Sequence, residues 1–549
     1  MLDDPKVSSQ FQPLNVEKDQ SMCSPRVRVV SAVAVGTVLL FFGILALTLI
    51  PSIVDRAVLD QDWLGYNEGT KELNAMTKSW QRPPYDMKLQ IYLFNVTNPE
   101  AAMQGAKPIV QEIGPFTFIE EMEKTFKFSP NGSRVIYRNK KTYHFNQTLS
   151  CPTCELSTRI FIPNIIFQKL VDFSTKGILA KFAVQAVLTA FRRETAFYQV
   201  SADEILFKGY VDPILGEVCK KPIISAFCGT AIPERIGIFY GQNGTDDGSY
   251  EISTGKGAPW DIGKIYSWNG KTALDNSTWD SPYARMINGT DGQLFPPLIQ
   301  KGDSFSIFNS QAGRTIYMEY EGVSSYRDVP AYRFGIPSAM FDGTLAKNAD
   351  FCNKDTPVYF NSTIQPPGCL PKGFIDVGRT QPGAPRVYLS QAHFFDVEPL
   401  VAEKILGMRS GTQKNDTTFV DIEPTSGAPI RARRAMQLSV GMLKGNLDLT
   451  AKLNQAIVPL LWMNETILFD EGTRDQLKNQ LLLAKHLAFI SGVGLVIAGA
   501  TVWIALAAVL LIFSVSRVQP ASEDTTILVE EEQQHEDVPE LDYTATEQP

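Results

Sequence analysis

Cys151-Pro152-Thr153-Cys154 has the spacing of a dithiol redox pair, two thiols held together by a short turn. Catalysis on that motif needs a strand-to-helix turn of a βαβ unit. Here the four residues lie in a loop between Asn146 and a helical stretch, so a small local disulfide is expected instead. The other catalytic residue types are sparse. There are four histidines, His144, His393, His486 and His535, and no two stand at a metal-ligand spacing. The chain has no Gly-x-Ser-x-Gly elbow, no phosphate-cradling Gly-rich loop ending in Lys-Ser/Thr and no Gly-x-Gly-x-x-Gly. Spacing alone pairs none of the many carboxylates. No enzyme, metal or cofactor is expected.

One modification chemistry is written repeatedly. Asn-x-Ser/Thr acceptors begin at Asn95, Asn131, Asn146, Asn243, Asn276, Asn288, Asn361, Asn415 and Asn464. Sugar is added on the lumenal side of a membrane, so the elements around these residues must place them there. Val29 to Ile50 is uncharged for 22 residues and Leu487 to Ser516 for 30, each enough to span a bilayer as a helix. Arg26 and Arg28 precede the first run while Asp55 and Asp60 follow it, which puts the N-terminus inside. The second run returns the C-terminus to the same side. All nine acceptors fall between the two runs. The expected order is a cytoplasmic tail (1–28), a span (29–50), a glycosylated ectodomain (51–487), a second span (488–514) and a cytoplasmic tail (515–549).

The net charge of −8 belongs to that last tail. From Arg517 onward there are one basic and ten acidic residues, a charge of −9, which leaves +1 for the rest. Nucleic-acid binding has no electrostatic support. Of seven cysteines, Cys151, Cys154, Cys219, Cys228, Cys352 and Cys369 fall in the oxidising compartment. Six allow 15 pairings, and closeness favours Cys151–Cys154, Cys219–Cys228 and Cys352–Cys369.

Between the spans, Leu89–Phe94, Ile236–Tyr240, Thr315–Tyr320 and Arg386–Leu389 read as strands, with Asn-Gly turns at 243, 269 and 288. The body is mostly β. One helical stretch interrupts it. Asn164 can cap a helix whose apolar face runs Ile166, Leu170, Phe173, Gly177, Ala180, Val184, Leu188 and Phe191, with Lys169, Asp172 and Lys176 opposite, Gly177 a possible break, and Arg192 and Arg193 at its end. A shorter helix is expected over Glu398 to Met408. The long helix either packs its greasy face on the β body or presents a partly basic, apolar surface to amphipathic ligands through Ile166, Lys169, Leu170, Phe173, Lys176, Arg192 and Arg193.

Asn95–Phe118 (NVTNPEAAMQGAKPIVQEIGPFTF), Ile236–Tyr250, Trp268–Thr272, Met286–Gly292, Val329–Pro337, Tyr388–Phe395, Phe419–Gly427 and Val458–Thr466 together resemble, in order, the class B scavenger receptors. The resemblance covers the ectodomain and both spans. It implies an α+β fold: a large antiparallel β-barrel ectodomain with a helical crown and an internal tunnel, anchored by two transmembrane helices. It also implies binding of lipids, fatty acids, sterols or lipoproteins at the crown and passage of apolar cargo to the membrane. A lysosomal sorting receptor for a lumenal hydrolase, or a phagocytic receptor for apoptotic cells or microbes, is the alternative. Family members carry cysteines near Ala284, Ala312 and Thr380, which this chain lacks; of its own, Cys352 and Cys369 look retained. In the tail, Glu523 with Ile527 and Leu528 fits an acidic dileucine-type signal for a sorting adaptor, so residence at the plasma membrane, the lysosomal membrane or both is expected.

Overall fold

The computed structural model describes residues 25–190, 195–217 and 235–516. Cys219, Cys228, Arg192, Arg193, Glu523, Ile527 and Leu528 lie outside them. Contacts divide the described residues into two compact units, 25–48 with 488–516, and 49–487.

The first unit is built from two apolar helices. Helix α1 (Pro25–Gln61) and the long C-terminal helix (Leu483–Ser516) contain long apolar stretches with almost no buried surface, as lipid-facing helices have. They meet through glycines. A Cβ on Gly43 would lie 2.8 Å from the Val496 nitrogen and 3.0 Å from the Gly492 carbonyl oxygen; one on Gly499 would lie 2.9 Å from the Gly36 oxygen. Gly36 and Gly43, like Gly492 and Gly499, stand seven residues apart, which keeps each pair on one helix face. Gly494 has open space around it and lies off the contact face. Gly43→Leu is expected to weaken the pairing by about 1–2 kcal/mol. Energy transfer between labels on the outer faces of the two helices measures the loss, and unchanged pairing in Gly43→Leu would show that the glycine contact does not join them.

The second unit is organised by strands. In chain order they are β1 (Tyr85–Val96), β2 (Val110–Phe128), β3 (Arg134–Phe145), β4 (Arg159–Pro163) and β5 (Phe197–Ser201). Then come β6 (Ser249–Ser253), β7 (Ile265–Trp268), β8 (Ser304–Asn309), β9 (Arg314–Tyr326) and β10 (Val329–Gly335). The last are β11 (Ile375–Asp376), β12 (Val387–Gln391), β13 (Phe419–Ile422), β14 (Pro429–Met442) and β15 (Ala456–Phe469). Thirteen make one antiparallel sheet in the order β7-β6-β3-β2-β1-β15-β14-β13-β10-β9-β8, with β12 also on β14 and β11 on β12; β4 and β5 pair separately. The fold is thus mixed α and β around a large antiparallel sheet. Along β1, buried and half-buried residues alternate, the period of two that one packed face imposes. The central β15 is buried on both faces over residues 456–463.

The strand ladder leaves β7 and β8 as edges. They meet at one short segment: Ile265 donates to the Gly289 carbonyl, Thr290 to Ser306, and Phe308 back to Thr290, at 2.9, 2.8 and 2.8 Å. Gly289 has φ 87°, and a Cβ there would stand 2.3 Å from the Ser306 oxygen, so only glycine fits.

Two expected elements come out differently. Ile236–Tyr240 is no ladder strand: Ile238 and Phe239 donate to Ile205 and Leu206, and Ile236 makes one bridge to Tyr210, so the β-rich composition serves burial of Phe239 in a turn. Of Glu398–Met408 only Pro399–Ala402 is helical. From there the backbone turns to pair with the start of β2, Val110 donating to Leu406 and Leu406 to Pro108, and this pairing outweighs local helix preference. Leu89–Phe94 and Thr315–Tyr320 lie inside β1 and β9, and Arg386–Leu389 overlaps β12.

Cys151–Cys154 and Cys352–Cys369 are disulfides with Cα separations of 5.0 and 4.4 Å. At the three positions where the resemblance implies cysteines, Ala284 and Ala312 are buried and the Thr380 hydroxyl donates to the Gln311 carbonyl at 2.5 Å, a non-covalent tie between those two segments.

Candidate functional site

Asn164 caps helix α2 (Ile165–Ser174), its side chain accepting from Phe167 N at 3.0 Å; helix α3 (Ile178–Ala190) follows across Gly177. The buried side of α2 is not the apolar stripe alone. Phe167 and Val171 go into the core together with Gln168, Asp172 and Ser174, while Ile166, Leu170 and Phe173 are half-buried. Asp172, expected on the solvent side, is buried because Arg386 grips it, Nη2 at 2.7 Å and Nε at 3.0 Å. Gln168 accepts from Leu443 N at 2.8 Å. Helix α3 turns Val184 and Leu188 inward but leaves Ile178, Leu179 and Phe182 75 %, 86 % and 66 % exposed, an apolar patch without a partner on the described chain.

Beneath α2 lies a cavity of about 410 Å³. Ile165, Ile166 and Lys169 form its α2 wall, and Ile236, Ile238, Ala312, Ile316, Val387, Leu389 and Met463 make it mainly apolar. Of the expected ligand residues, Ile166 and Lys169 face it. Leu170 and Phe173 instead pack on the neighbouring core, and Lys176 borders a separate surface pocket. Lys169 donates to the Ala384 carbonyl at 2.9 Å; burial, aided by Arg386, pushes its pKa down to about 8, with Asp172 opposing.

A second cavity of about 520 Å³ adjoins the first, the two sharing Phe239, Gln242, Gln311, Ile316, Arg434 and Met436. Its lining comes from β3, β7, β8, β9, β14 and β15, so the sheet curls around it. At the junction Gln311 Nε2 donates to Gln242 Oε1 at 3.2 Å. One wall is charged. Lys141 lies 2.7 Å from Glu120 and 3.6 Å from Glu465, and Arg434 Nε lies 2.7 Å from Glu465 Oε2. Burial raises the Glu120 pKa against the pull of Lys141, with Glu465 adding to the rise. Arg434 and Lys141 overcome burial at Glu465 and hold it low. The sequence gives one signal for this cluster, a lone Glu465 within the apolar run of β15; which charges face inward is set by strand register.

Asn131, Asn276, Asn288, Asn361 and Asn415 are exposed. Asn243 is exposed as well, Asn95, Asn146 and Asn464 are half-buried, and in Asn243 and Asn464 the acceptor nitrogen itself donates, to Tyr143 O and Gln90 Oε1, both at 3.1 Å. Among the described residues no His, Cys, Asp and Glu group could hold a metal.

Two long apolar helices, a large antiparallel sheet and an interior cavity under a helical cap define an integral membrane protein with a ligand-sized hollow. The chain belongs to the CD36 family, whose model matches residues 34–511. It is 31 % identical over 465 residues to lysosome membrane protein 2 of Rattus norvegicus, covering 83 % of this chain and 90 % of that one. It is 31 % identical over 454 residues to the Homo sapiens protein of the same name (81 % and 88 %). Similarity to scavenger receptor class B member 1 of Bos taurus is 27 % over 462 residues, 82 % of both chains.

Proposed function

We propose that this chain is a class B scavenger receptor-like glycoprotein that captures lipids or lipoproteins on α2 and α3 and passes apolar cargo through the joined cavities to the membrane. The observation that carries the reading is the pair of adjoining cavities inside the curled sheet, opening under Ile166 and Lys169 beside a helix with three exposed large apolar residues. The segment through Thr290, hydrogen-bonded to both edge strands, supports reading the sheet as a barrel around them. Burying each CH₂ of a chain there gains about 0.8 kcal/mol, enough to draw fatty acids or sterols from water without any catalytic group. Both termini are cytoplasmic, the acceptor asparagines lumenal, and Glu523, Ile527 and Leu528 address the protein through a sorting adaptor. Similarity to lysosome membrane proteins favours the lysosomal membrane over the cell surface.

The alternative, a sorting receptor whose helices grip a lumenal hydrolase, needs no open interior. Gln242→Trp places a bulky ring at a half-buried position that lines both cavities, so it fills the empty space at their junction. It is expected to cut transfer of labelled lipid into cells at least about tenfold while ligand capture and thermal stability hold. Undiminished transfer by a correctly folded variant would overturn the proposal and leave the sorting-receptor reading.

A further inference from the structure

The charged wall of the inner cavity has more donors than the protein uses. Lys141 has two carboxylate neighbours for three N–H bonds, and its side chain is 29 % exposed although it lies on an interior strand. Arg434 Nε lies 2.7 Å from Glu465 Oε2 as an ion pair without hydrogen-bond alignment, its Nη1 and Nη2 make no hydrogen bond to the described residues, and its side chain is 34 % exposed. Both residues line the cavity, so that free surface faces the cavity. A guanidinium with both terminal nitrogens free beside an ammonium presents a fork that fits two oxygens of one anion.

We propose that Arg434 and Lys141 form an internal headgroup subsite, taking the acidic head of a single-chain amphiphile while its tail lies in the apolar cavity along Ile165, Ile236 and Ile316. This rests on the reading of the cavities as a lipid path. Arg434 lines both cavities, so a head held on it lies at their border.

Charge balance then couples binding to a proton. Two cations face two carboxylates, and a third anion would leave the buried cluster one charge negative, which a low-dielectric interior penalises. Glu120 can relieve this. It faces Lys141 and Tyr143 on β3, Arg434 on β14 and Glu465 on β15, and burial already raises its pKa. The anion enters, Glu120 takes one proton from solvent, and the cluster returns to neutrality. Above the raised Glu120 pKa, affinity for an anionic amphiphile falls about tenfold per pH unit, one proton being linked to one anion.

The test uses the full-length protein in detergent with two fluorescent probes of equal chain, an alkyl sulfonate, ionised at every pH used, and the corresponding alcohol. The sulfonate should bind more tightly as pH falls, while the alcohol shows no pH slope. Glu120→Gln should abolish the slope, and Lys141→Met and Arg434→Gln should each weaken the sulfonate about tenfold relative to the alcohol. If the alcohol enters but the sulfonate does not, or the two respond alike to pH and to these variants, the headgroup subsite is wrong and the lipid path stands. If neither probe enters, both fall.

Discussion

Asp172→Ala is expected to destabilise the ectodomain by about 3–5 kcal/mol, because it strands a buried guanidinium. Arg386 is 2 % exposed and sends Nε and Nη2 to one Asp172 oxygen; its remaining partner is Asp355, the carbonyl at 3.1 Å and the half-exposed carboxylate at a looser 3.7 Å. Burial works against the Arg386 charge, but Asp172 outweighs it and holds the guanidinium protonated, so the truncated site cannot escape by losing a proton. The loss reaches the cavity as well, since Asp172 lies on α2, whose Ile165, Ile166 and Lys169 wall it. Chemical denaturation of the ectodomain measures the effect. Asp172→Leu with Arg386→Leu should recover much of the loss, as apolar replacement of a buried pair costs little. A single-variant cost below about 1 kcal/mol would mean the pair is not desolvated as the geometry requires.

This pair also shows where sequence reasoning stopped. The cap at Asn164, the break at Gly177 and the two long apolar helices are local features, fixed by a residue type and its neighbours, and the structure has each of them. Asp172 looked like a solvent-side charge because its partner is 214 residues away. The charged wall of the inner cavity is of the same kind: Lys141, Arg434 and Glu465 meet because β3, β14 and β15 curl round one hollow, and nothing in any single strand records which face is inward. Ile236–Tyr240 fails in the opposite sense, its β-rich composition spent on a buried turn against residues 205–210. Of the candidate ligand residues, local pattern found the helix that roofs the cavity, and only packing could sort Ile166 and Lys169 from Leu170 and Phe173.

His393 should make the ectodomain's stability depend on pH in a predictable direction. Its Nδ1 lies 2.7 Å from Asp416 Oδ1 and its Nε2 2.8 Å from Glu112 Oε2. A ring flanked on both nitrogens by carboxylates donates twice, which only the imidazolium can do. Burial and the nearby Arg409 oppose the charge, yet the hydrogen bonds to Asp416 and Glu112 prevail and the histidine pKa is raised. The same contacts, with Arg409 on Asp416 and Trp462 on Glu112, depress both carboxylates against their burial. A raised histidine contributes its full stability below its unfolded pKa of about 6.5 and loses it as pH climbs through the folded value; the depressed carboxylates contribute above about 4 and fade below. The network is therefore strongest in the mildly acidic range between these limits. His393 has φ 51°, a conformation asparagine tolerates, so His393→Asn removes the charge without adding backbone strain. The variant should be about 2–3 kcal/mol less stable near pH 5, and the gap should narrow as pH rises above about 6.5. A gap that stays constant into the alkaline range would show that the ring contributes shape and not charge.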